Sequence, residues 1–292
     1  MQPLITVNTK LIALLGTPLA QSFSTRMQNA AYTAMGLDYL YFPIEVRNED
    51  MGAIANAARV MNFAGLAVTK PGKLAIMDYL DEVDDLAAMM GSVNTVVIRD
   101  GIFKGYNTDG YGALRCIRQG AGDLAGKTFF CFGAGGTARS VCLELAQAGA
   151  RRIYISSRSA MCEELCAHIG KFFPNVCIPI RNTVENVDAI ASALKECHIV
   201  LNLSVCGMIG HENETPVDRR LLLPRHICFD ATYNPAKTRF LLEAEVLGCK
   251  IINGLDMLLY QGARQIALWT GEPEDEAVPP MRAALMEAMG TK

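Results

Sequence analysis

Histidine is scarce in this chain of 292 residues. The four histidines stand at positions 168, 198, 211 and 226, so the first 167 residues contain none. If the first half of the chain binds a substrate, proton transfer there must use another group. Lysine and carboxylate side chains are the obvious candidates for that role.

Runs of like charge, closely spaced cysteine pairs and long apolar runs are also missing. The net charge is -3, with 27 basic and 30 acidic residues, which predicts neither a nucleic-acid nor a membrane partner. The ten cysteines include no C-x-x-C pair. We therefore expect the cysteines to be small buried apolar side chains in a reducing cytoplasm, without disulfides or a metal site. Residues 1–9 lack the features of a signal peptide, and no run could span a bilayer, which predicts a soluble cytoplasmic protein.

A glycine-rich turn follows the apolar run that begins at Thr128. It comprises Gly133, Ala134, Gly135, Gly136, Thr137 and Ala138. The first glycine suits a tight turn, the second allows the backbone to approach a pyrophosphate, and Ala138 is small enough for helix packing. A helix that begins here presents unpaired N–H groups to phosphate. The pattern predicts a dinucleotide site.

The end of the next strand indicates which dinucleotide binds. Proteins that bind NAD place an acidic residue there for the ribose, whereas this chain has Ser157, Arg158 and Ser159. A guanidinium flanked by hydroxyls can bind a 2′-phosphate through charge-assisted hydrogen bonds, which favours NADP, with NAD as the alternative. The competing interpretation is that Arg158 is an ordinary surface residue.

In the first half of the chain, polar residues recur where predicted strands end. Strands over 11–15, 39–45, 65–69, 91–98 and 103–106 and helices over 25–35, 49–61, 81–90 and 110–119 argue for a mostly parallel sheet. The polar residues in question are Ser22, Thr69, Lys73, Asn94 and Asp109. One crevice could gather them. Simpler interpretations remain for Ser24 and Asp109 as helix caps and for Lys73 as a solvated loop residue, whereas Ser22 has no evident structural role.

The second half predicts a doubly wound Rossmann-type domain. Six strands, over 128–132, 152–156, 176–180, 197–203, 226–231 and 249–252, alternate with helical patterns, and residues 120–126 form the best linker candidate. A long apolar helix from 254 to 269 and an amphipathic helix over 277–289 follow. We expect an α/β protein with two domains: a discontinuous substrate domain, 1–119 plus about 254–292, and an NADP-binding domain, 120–253.

Nine motifs in this order resemble the shikimate dehydrogenase family, and more closely its quinate/shikimate dehydrogenase branch. They are Gly16-Thr-Pro18, Gln21-Ser-Phe-Ser24, Met27-Gln-Asn29, Val68-Thr-Lys-Pro-Gly-Lys73, Asn94-Thr95, Gly105-Tyr-Asn-Thr-Asp109, Gly133-Ala-Gly-Gly136, Tyr233-Asn-Pro235 and Gly254-x-x-Met257-Leu-x-x-Gln261. The resemblance covers nearly the whole chain. It implies interconversion of a ring hydroxyl and a ketone on shikimate (3-dehydroshikimate) or quinate-like cyclic hydroxy acids.

The resemblance also implies roles for individual residues. Lys73 and Asp109 match the catalytic acid/base pair, and Ser22 and Ser24 match the residues that bind the substrate carboxylate. Thr69, Asn94, Asp109 and Gln261 would hold the ring hydroxyls, with Tyr233 nearby, while Gly254 and Met257 fall on the cofactor side. A lysine that accepts the hydroxyl proton must be neutral, and a coupled pair poised between one and two protons suits that task.

Three departures distinguish the chain from the family pattern. Gln21 stands where the family has histidine, Ala67 replaces an asparagine near the substrate, and Ala160 replaces the acidic residue that lets the quinate branch accept NAD. The substrate half thus resembles one branch and the cofactor loop the other. Alternatives are a dehydrogenase for an amino- or otherwise modified shikimate, a methylenetetrahydrofolate dehydrogenase with the same layout, and a non-catalytic ligand or NADP sensor. We expect a monomer or homodimer.

Overall fold

The computed structural model describes residues 5–20 and 22–290, so the departure at Gln21 lies outside the described residues. The strands are β1 (Lys10–Gly16), β2 (Tyr39–Glu45), β3 (Gly65–Val68), β4 (Glu82–Val83), β5 (Thr95–Arg99), β6 (Ile102–Tyr106), β7 (Thr128–Phe132), β8 (Arg152–Ser157), β9 (Cys177–Arg181), β10 (Ile199–Asn202), β11 (Ile227–Asp230) and β12 (Lys250–Ile252). The helices are α1 (Ser24–Ala34), α2 (Met51–Val60), α3 (Asp85–Met90), α4 (Asp109–Ala121), α5 (Gly136–Gln147), α6 (Met161–Gly170), α7 (Val187–Glu196), α8 (Arg239–Val246), α9 (Leu255–Thr270) and α10 (Glu274–Ala288).

The chain forms two compact units. The first unit ends at Thr108 and resumes at Leu259, and the second runs from Asp109 to Leu258. Each unit contains a six-stranded sheet. The fold is therefore of the α/β class, as the sequence predicts.

The sheet of the first unit has the strand order β2-β1-β3-β5-β6-β4. β1 pairs in parallel with β2 and β3, and β4 with β6, whereas β5 runs antiparallel to β3 and β6. Asp100 and Gly101 join β5 to β6 with positive φ angles of 51° and 79°, which a tight hairpin turn requires. Parallel pairing predominates because β5 is the one strand of this sheet that runs opposite to its neighbours.

Apolar residues cover the sheet of the first unit. Met51, Ala55 and Ala58 of α2 pack with Leu15 and Val68 in a buried cluster. α9 also packs on this sheet, where Trp269 Nε1 donates a hydrogen bond to the Val96 carbonyl at 2.9 Å. Gly65 lies directly under the Trp269 ring, and a Cβ there would collide with it. The absence of a side chain at Gly65 thus sets how closely α9 approaches β3.

The sheet of the second unit is entirely parallel, with the strand order β12-β11-β10-β7-β8-β9. Numbered within the unit, this is the 3-2-1-4-5-6 order of the doubly wound dinucleotide-binding fold. The order reverses between β7 and β10, so the loops that follow these two strands flank a crevice. Ligands bind at this position in open α/β sheets.

The structure differs from the sequence-based elements between residues 81 and 90. The predicted single helix is replaced by β4 and the shorter α3, which Asp84 caps by accepting a hydrogen bond from Leu86 N. Asp81 accepts a hydrogen bond from Phe103 N at 2.7 Å and pairs with Arg59 at 3.0 Å. These bonds to distant residues hold 81–84 in extended pairing with β6, which overrides the local helical pattern.

α4 belongs to the second compact unit, although the sequence-based limits place residues 110–119 in the substrate domain, and it extends as far as Ala121. Gly110 explains the grouping: a Cβ there would lie 2.5 Å from the Ser140 carbonyl, so α4 packs closely against α5. The limits of the substrate and cofactor domains stay a prediction.

Candidate active site

The loops that follow β1 and β3 lie side by side at one edge of the first sheet. Gly16 ends β1 with φ +156°, and a Cβ there would lie 2.5 Å from Thr69 Cγ2 and 2.7 Å from the Lys70 carbonyl. Thr17 N donates to that same carbonyl at 3.0 Å. Glycine at position 16 therefore allows the loop that leads to Ser22 to run beside the turn that contains Lys73.

The two serines have different local roles from those predicted. Ser22 is exposed, and its Oγ accepts a hydrogen bond from Ser24 N at 3.3 Å, so it does stabilise the loop before α1. Ser24 is the first residue of α1 rather than its cap, so the capping prediction was wrong. Its hydroxyl is instead hydrogen-bonded to Tyr41, a residue whose burial raises its pKa far above the ordinary range.

Asn94, Thr108 and Gln261 form a polar cluster in the first unit. Asn94 Nδ2 donates to Thr108 Oγ1 at 3.0 Å, and Asn94 Oδ1 accepts from Thr108 N at 2.9 Å. Thr108 Oγ1 in turn donates to Gln261 Oε1 at 3.4 Å. Two of the predicted site residues are thus brought together by Thr108, which sequence reasoning did not select although it lies within the Asn107-Thr-Asp109 motif.

Lys73 and Asp109 are both half-buried. The Lys73 carbonyl accepts a hydrogen bond from Val93 N at 2.9 Å, which ties the turn after β3 to the residue before Asn94. Asp109 is the first residue of α4 and of the second unit. Thr69 continues the backbone pairing of β3, since its N–H donates to the Leu15 carbonyl at 2.8 Å.

The glycine turn after β7 has the geometry that a dinucleotide site requires. Gly133 has φ +114°, and a Cβ there would lie 2.6 Å from the Leu203 carbonyl at the end of β10. Gly135 and Gly136 are exposed, and no atom lies within 4 Å of a Cβ built on either. α5 begins at Gly136, and Ala138 is fully buried against the sheet. The backbone N–H groups at the start of α5 can therefore approach a phosphate.

The loop after β8 presents an exposed guanidinium at the same edge of the second sheet. Ser157 Oγ donates to the Ser159 carbonyl at 2.8 Å and accepts from Cys162 N at 3.2 Å, which fixes the loop before α6. Arg158 is exposed. The hydrogen bond with His211 is the main cause that lowers the pKa of Glu214 below its ordinary value, and the positive charge of Arg158 makes the smallest contribution. Arg158 and Glu214 are therefore close enough to interact electrostatically.

A buried carboxylate organises the loops after β10 and β11, and sequence reasoning missed it. Asp230 accepts hydrogen bonds from Thr238 Oγ1 at 2.6 Å, Asn202 Nδ2 at 3.0 Å and Thr232 N at 2.9 Å. Polar residues at the ends of the apolar runs 199–202 and 227–230 were the available signal. Tyr233 follows in the same loop, where burial raises the pKa of its hydroxyl.

Gly254 and Met257 stand at the start of α9. A Cβ on Gly254 would collide with the Ala231 carbonyl, and Gly254 N donates to the Thr232 carbonyl at 3.2 Å. Close packing beside the Tyr233 loop thus accounts for glycine at this position. Met257 is half-buried.

Neither a metal cluster nor a membrane-crossing helix is found in the described part of the chain. Over residues 5–20 and 22–290, no three His, Cys, Asp or Glu side chains are placed to share a metal ion. Within the same ranges, every helix falls short of the length and hydropathy that crossing a bilayer requires.

Comparison with known proteins gives one consistent result. The shikimate dehydrogenase substrate binding domain matches residues 14–96, and the shikimate 5'-dehydrogenase C-terminal domain matches residues 254–286. Shikimate dehydrogenase (NADP(+)) of Alkaliphilus oremlandii is 41% identical over 272 residues, which cover 92% of this chain and 94% of that protein.

Two solved structures extend the comparison to the fold. Shikimate 5-dehydrogenase from Listeria monocytogenes, in complex with shikimate and NAD, is 33% identical with a TM-score of 0.91 and covers 99% of both chains. The ligand-free 5-ketofructose reductase of Gluconobacter sp. strain CHM43 is 31% identical with a TM-score of 0.87, covering 96% of this chain and 99% of that one.

Proposed function

Because the chain belongs to the shikimate dehydrogenase family, we propose that it is an NADP-dependent dehydrogenase that interconverts shikimate and 3-dehydroshikimate. The observation that carries the proposal is the polar cluster of Asn94, Thr108 and Gln261. These side chains offer the hydrogen-bond donors and acceptors that recognition of a hydroxylated ring requires. Shikimate is the first choice because relatives across the chain's length act on it.

The residues around the glycine turn fit NADP. Gly133 and the start of α5 would hold the pyrophosphate, and Arg158 would pair with the 2′-phosphate between Ser157 and Ser159. The open space at Gly135 and Gly136 leaves room for close approach of phosphate oxygens. When bound, the nicotinamide accepts or returns the hydride of the reaction. The remaining chemistry is the movement of one proton, which side chains of this chain must supply.

Lys73 and Asp109 are the groups proposed for that proton. In the oxidation direction, neutral Lys73 would accept the proton of the ring hydroxyl, and in reduction its ammonium form would donate to the ketone oxygen. Asp109 would sustain the required charge state and hold a neighbouring hydroxyl. Ser22 and Ser24 would bind the substrate carboxylate, Thr69, Asn94 and Gln261 the ring hydroxyls, and Tyr233 would lie nearby, as the family motifs imply.

A second candidate substrate is an open-chain polyhydroxy ketone. The 5-ketofructose reductase of Gluconobacter shares the fold over nearly the whole chain. Ala67, which stands where the family has asparagine, is buried in β3 and pairs with Thr95. Loss of an amide near the substrate changes which hydroxyls are recognised, so quinate, amino-shikimate and 5-ketofructose all belong in the test.

The proposal is tested by nicotinamide absorbance with a panel of substrates and both cofactors. Shikimate, quinate, an amino-shikimate and a ketofructose are each assayed with NADP and NAD, and the specificity constants are compared. We expect the largest kcat/KM with shikimate and NADP. Turnover only with the open-chain ketone would transfer the proposal to that substrate. Ligand binding by calorimetry without turnover of any compound would support the sensor instead.

We propose a monomer or a homodimer that needs no nucleic acid or membrane. All ten cysteines are free, which agrees with a reducing compartment such as the cytoplasm. Light scattering at several concentrations would distinguish the two assemblies.

A further inference from the structure

We propose that Gln265 and Thr95 are positioning residues that fix the orientation of the Asn94 amide. They belong to a chain of hydrogen bonds, here called the amide relay, formed by Gln28, Gln265, Thr95 and Asn94. The inference rests on the proposed function in one respect: Asn94 is taken to contact the substrate. The relay itself consists of contacts within the first unit.

The relay begins between α1 and α9. Gln28 Nε2 donates to Gln265 Oε1 at 3.2 Å and to the Gly262 carbonyl at 3.2 Å. Gln28 is fully buried and Gln265 is 4% exposed. Because Gln265 Oε1 accepts this bond, its Nε2 must be the atom that faces the sheet. The orientation of the second amide is thus set by the first.

The next links carry that orientation into β5. Gln265 Nε2 donates to Thr95 Oγ1 at 2.9 Å and to the Asn94 carbonyl at 3.3 Å. The Thr95 hydroxyl therefore acts as an acceptor towards Gln265, and its single proton points to Asn94 Oδ1 at 2.7 Å. A hydroxyl has one proton and two lone pairs, so Thr95 can accept from Gln265 Nε2 and still donate its proton to the oxygen of Asn94.

Asn94 receives its orientation from the Thr95 hydroxyl and from the Thr108 backbone N–H together. Its Oδ1 accepts from Thr95 and from Thr108 N, so Nδ2 is the atom that donates to Thr108 Oγ1. The Thr108 hydroxyl has its proton left for Gln261 Oε1 or for Asn94 Oδ1, both of which lie at 3.4 Å. The links from Gln28 to Asn94 run in one direction. Such chains polarise their members and strengthen one another.

Stability alone gives a poor account of the relay. Burying amides costs free energy unless each polar atom is paired, and a well-packed apolar pair would avoid that cost. Gln28 Oε1 is buried and has no hydrogen-bond partner among the described residues. The first unit thus retains two buried glutamines whose pairing is incomplete at the far end and complete where the relay meets Asn94. Orientation of Asn94 is the function that this arrangement serves.

The first test separates orientation from stability by steady-state kinetics on the full chain. Thr95→Val keeps the shape of the side chain and removes the hydrogen bond from Thr95 to Asn94. Gln265→Leu removes the preceding hydrogen bond, from Gln265 to Thr95. Thr95→Ser retains the hydroxyl. The matched control is Trp269→Phe, which removes a different hydrogen bond from the same helix to the same strand. We expect Thr95→Val and Gln265→Leu to raise KM for shikimate about tenfold. The KM of these two variants for NADP should stay within about twofold of the wild-type value. In Thr95→Ser and Trp269→Phe, both the KM for shikimate and the KM for NADP should stay within about twofold of wild type.

A double-mutant cycle adds a result that a purely structural role would not give. In an Asn94→Ala background, Thr95→Val should change KM for shikimate by less than about twofold, because the group it orients is gone. If Thr95→Val raised the KM for shikimate by the same factor with and without the Asn94 side chain, the inference would be overturned. So would a wild-type KM for shikimate in both Thr95→Val and Gln265→Leu.

The second test needs no substrate and therefore separates the relay from the proposed function. The side-chain amide signals of Asn94, assigned by their loss in Asn94→Ala, are followed by NMR in the ligand-free protein. Thr95→Val and Gln265→Leu should shift these signals and speed their hydrogen exchange, whereas Trp269→Phe should not. Unchanged Asn94 signals in both variants would refute the relay. A wild-type protein inactive on every ring acid, with these shifts observed, would refute the proposed substrate class alone.

Discussion

At the scale of single residues, Lys73 decides whether the proposed chemistry is correct. Replacing Lys73 by alanine should lower kcat by about 10²- to 10⁴-fold, the usual contribution of a general acid or base, with KM for shikimate nearly unchanged. The loss falls on kcat because the proton moves only in the transition state. Lys70→Ala is the matched control, since Lys70 is an exposed lysine in the same turn. Near-normal turnover in Lys73→Ala would eliminate this mechanism.

Arg158 is the residue on which cofactor preference depends. Arg158→Ala should reduce the kcat/KM ratio for NADP over NAD by about 10- to 100-fold, because it removes charge-assisted hydrogen bonds to a phosphate. Activity with NAD should change little. Arg151→Ala, which removes an exposed arginine before the same strand, serves as the control. An unchanged ratio in Arg158→Ala would mean that Arg158 is an ordinary surface residue.

The sequence indicates candidate site residues that lie within a motif, and it does not indicate residues whose role depends on a distant contact. Asn94 and Gln261 were selected from motifs, and the structure joins them through Thr108. No local pattern indicates Gln265, because its partners are distant in the chain: Thr95 lies 170 positions away and Gln28 lies 237 positions away. Roles of this kind depend on tertiary contacts that no local pattern encodes.

At the scale of elements, Gly133 shows why the turn after β7 requires glycine. Gly133→Ala combines a positive φ with a contact against the Leu203 backbone, whereas Gly122→Ala has φ +70° and open space around the added Cβ. We expect Gly122→Ala to cost about 1 kcal/mol of unfolding free energy and Gly133→Ala at least about 2 kcal/mol. Urea unfolding measures both. Equal costs would show that backbone strain alone accounts for Gly133.

The loops after β10 and β11 should make stability depend on pH through Asp230. Burial raises the pKa of this carboxyl, although hydrogen bonds from Thr238 and Asn202 act in the opposite direction. The folded state then binds the proton more tightly than the unfolded state. The resulting stabilisation is present at low pH and is lost as the pH rises through the folded pKa.

The prediction for Asp230 is a difference between two pH profiles. The unfolding free energy of wild type minus that of Asp230→Asn should fall with rising pH, by about 1.4 kcal/mol for each unit by which the pKa is raised. Asp218→Asn is a control of opposite sign, because Arg220 lowers the pKa of exposed Asp218 to about 2. Parallel profiles for wild type and Asp230→Asn would contradict the raised pKa.

Most elements could be predicted because their patterns are local. The run 128–132, the glycine turn and the helix after it follow from periodicity and turn chemistry, and the structure agrees. The segment 81–90 could not be predicted, since Asp81 bonds to Phe103 and Arg59. No local pattern encodes the packing of α4 against α5, because it depends on how closely Gly110 lets the two helices approach.

At the scale of the whole molecule, the two units have separate apolar cores. One core centres on Leu15, Val68 and Phe103, and the other on Phe130 and Phe240. Chains with more than one such core often unfold in more than one step. A ligand that binds one unit should therefore stabilise that unit first, by mass action.

The single tryptophan makes this prediction measurable. Trp269 is buried in the first unit, so its fluorescence reports that unit, whereas circular dichroism reports both. In urea unfolding with NADP at a hundredfold excess over Kd, we expect about 2.7 kcal/mol of stabilisation in the transition seen by circular dichroism. The fluorescence midpoint should move much less with NADP and should respond to shikimate. A 10- to 100-fold weaker NADP affinity in Arg158→Ala should reduce this stabilisation to about 0.4–1.4 kcal/mol. Equal shifts of both probes with NADP would mean that the two cores unfold as one cooperative unit.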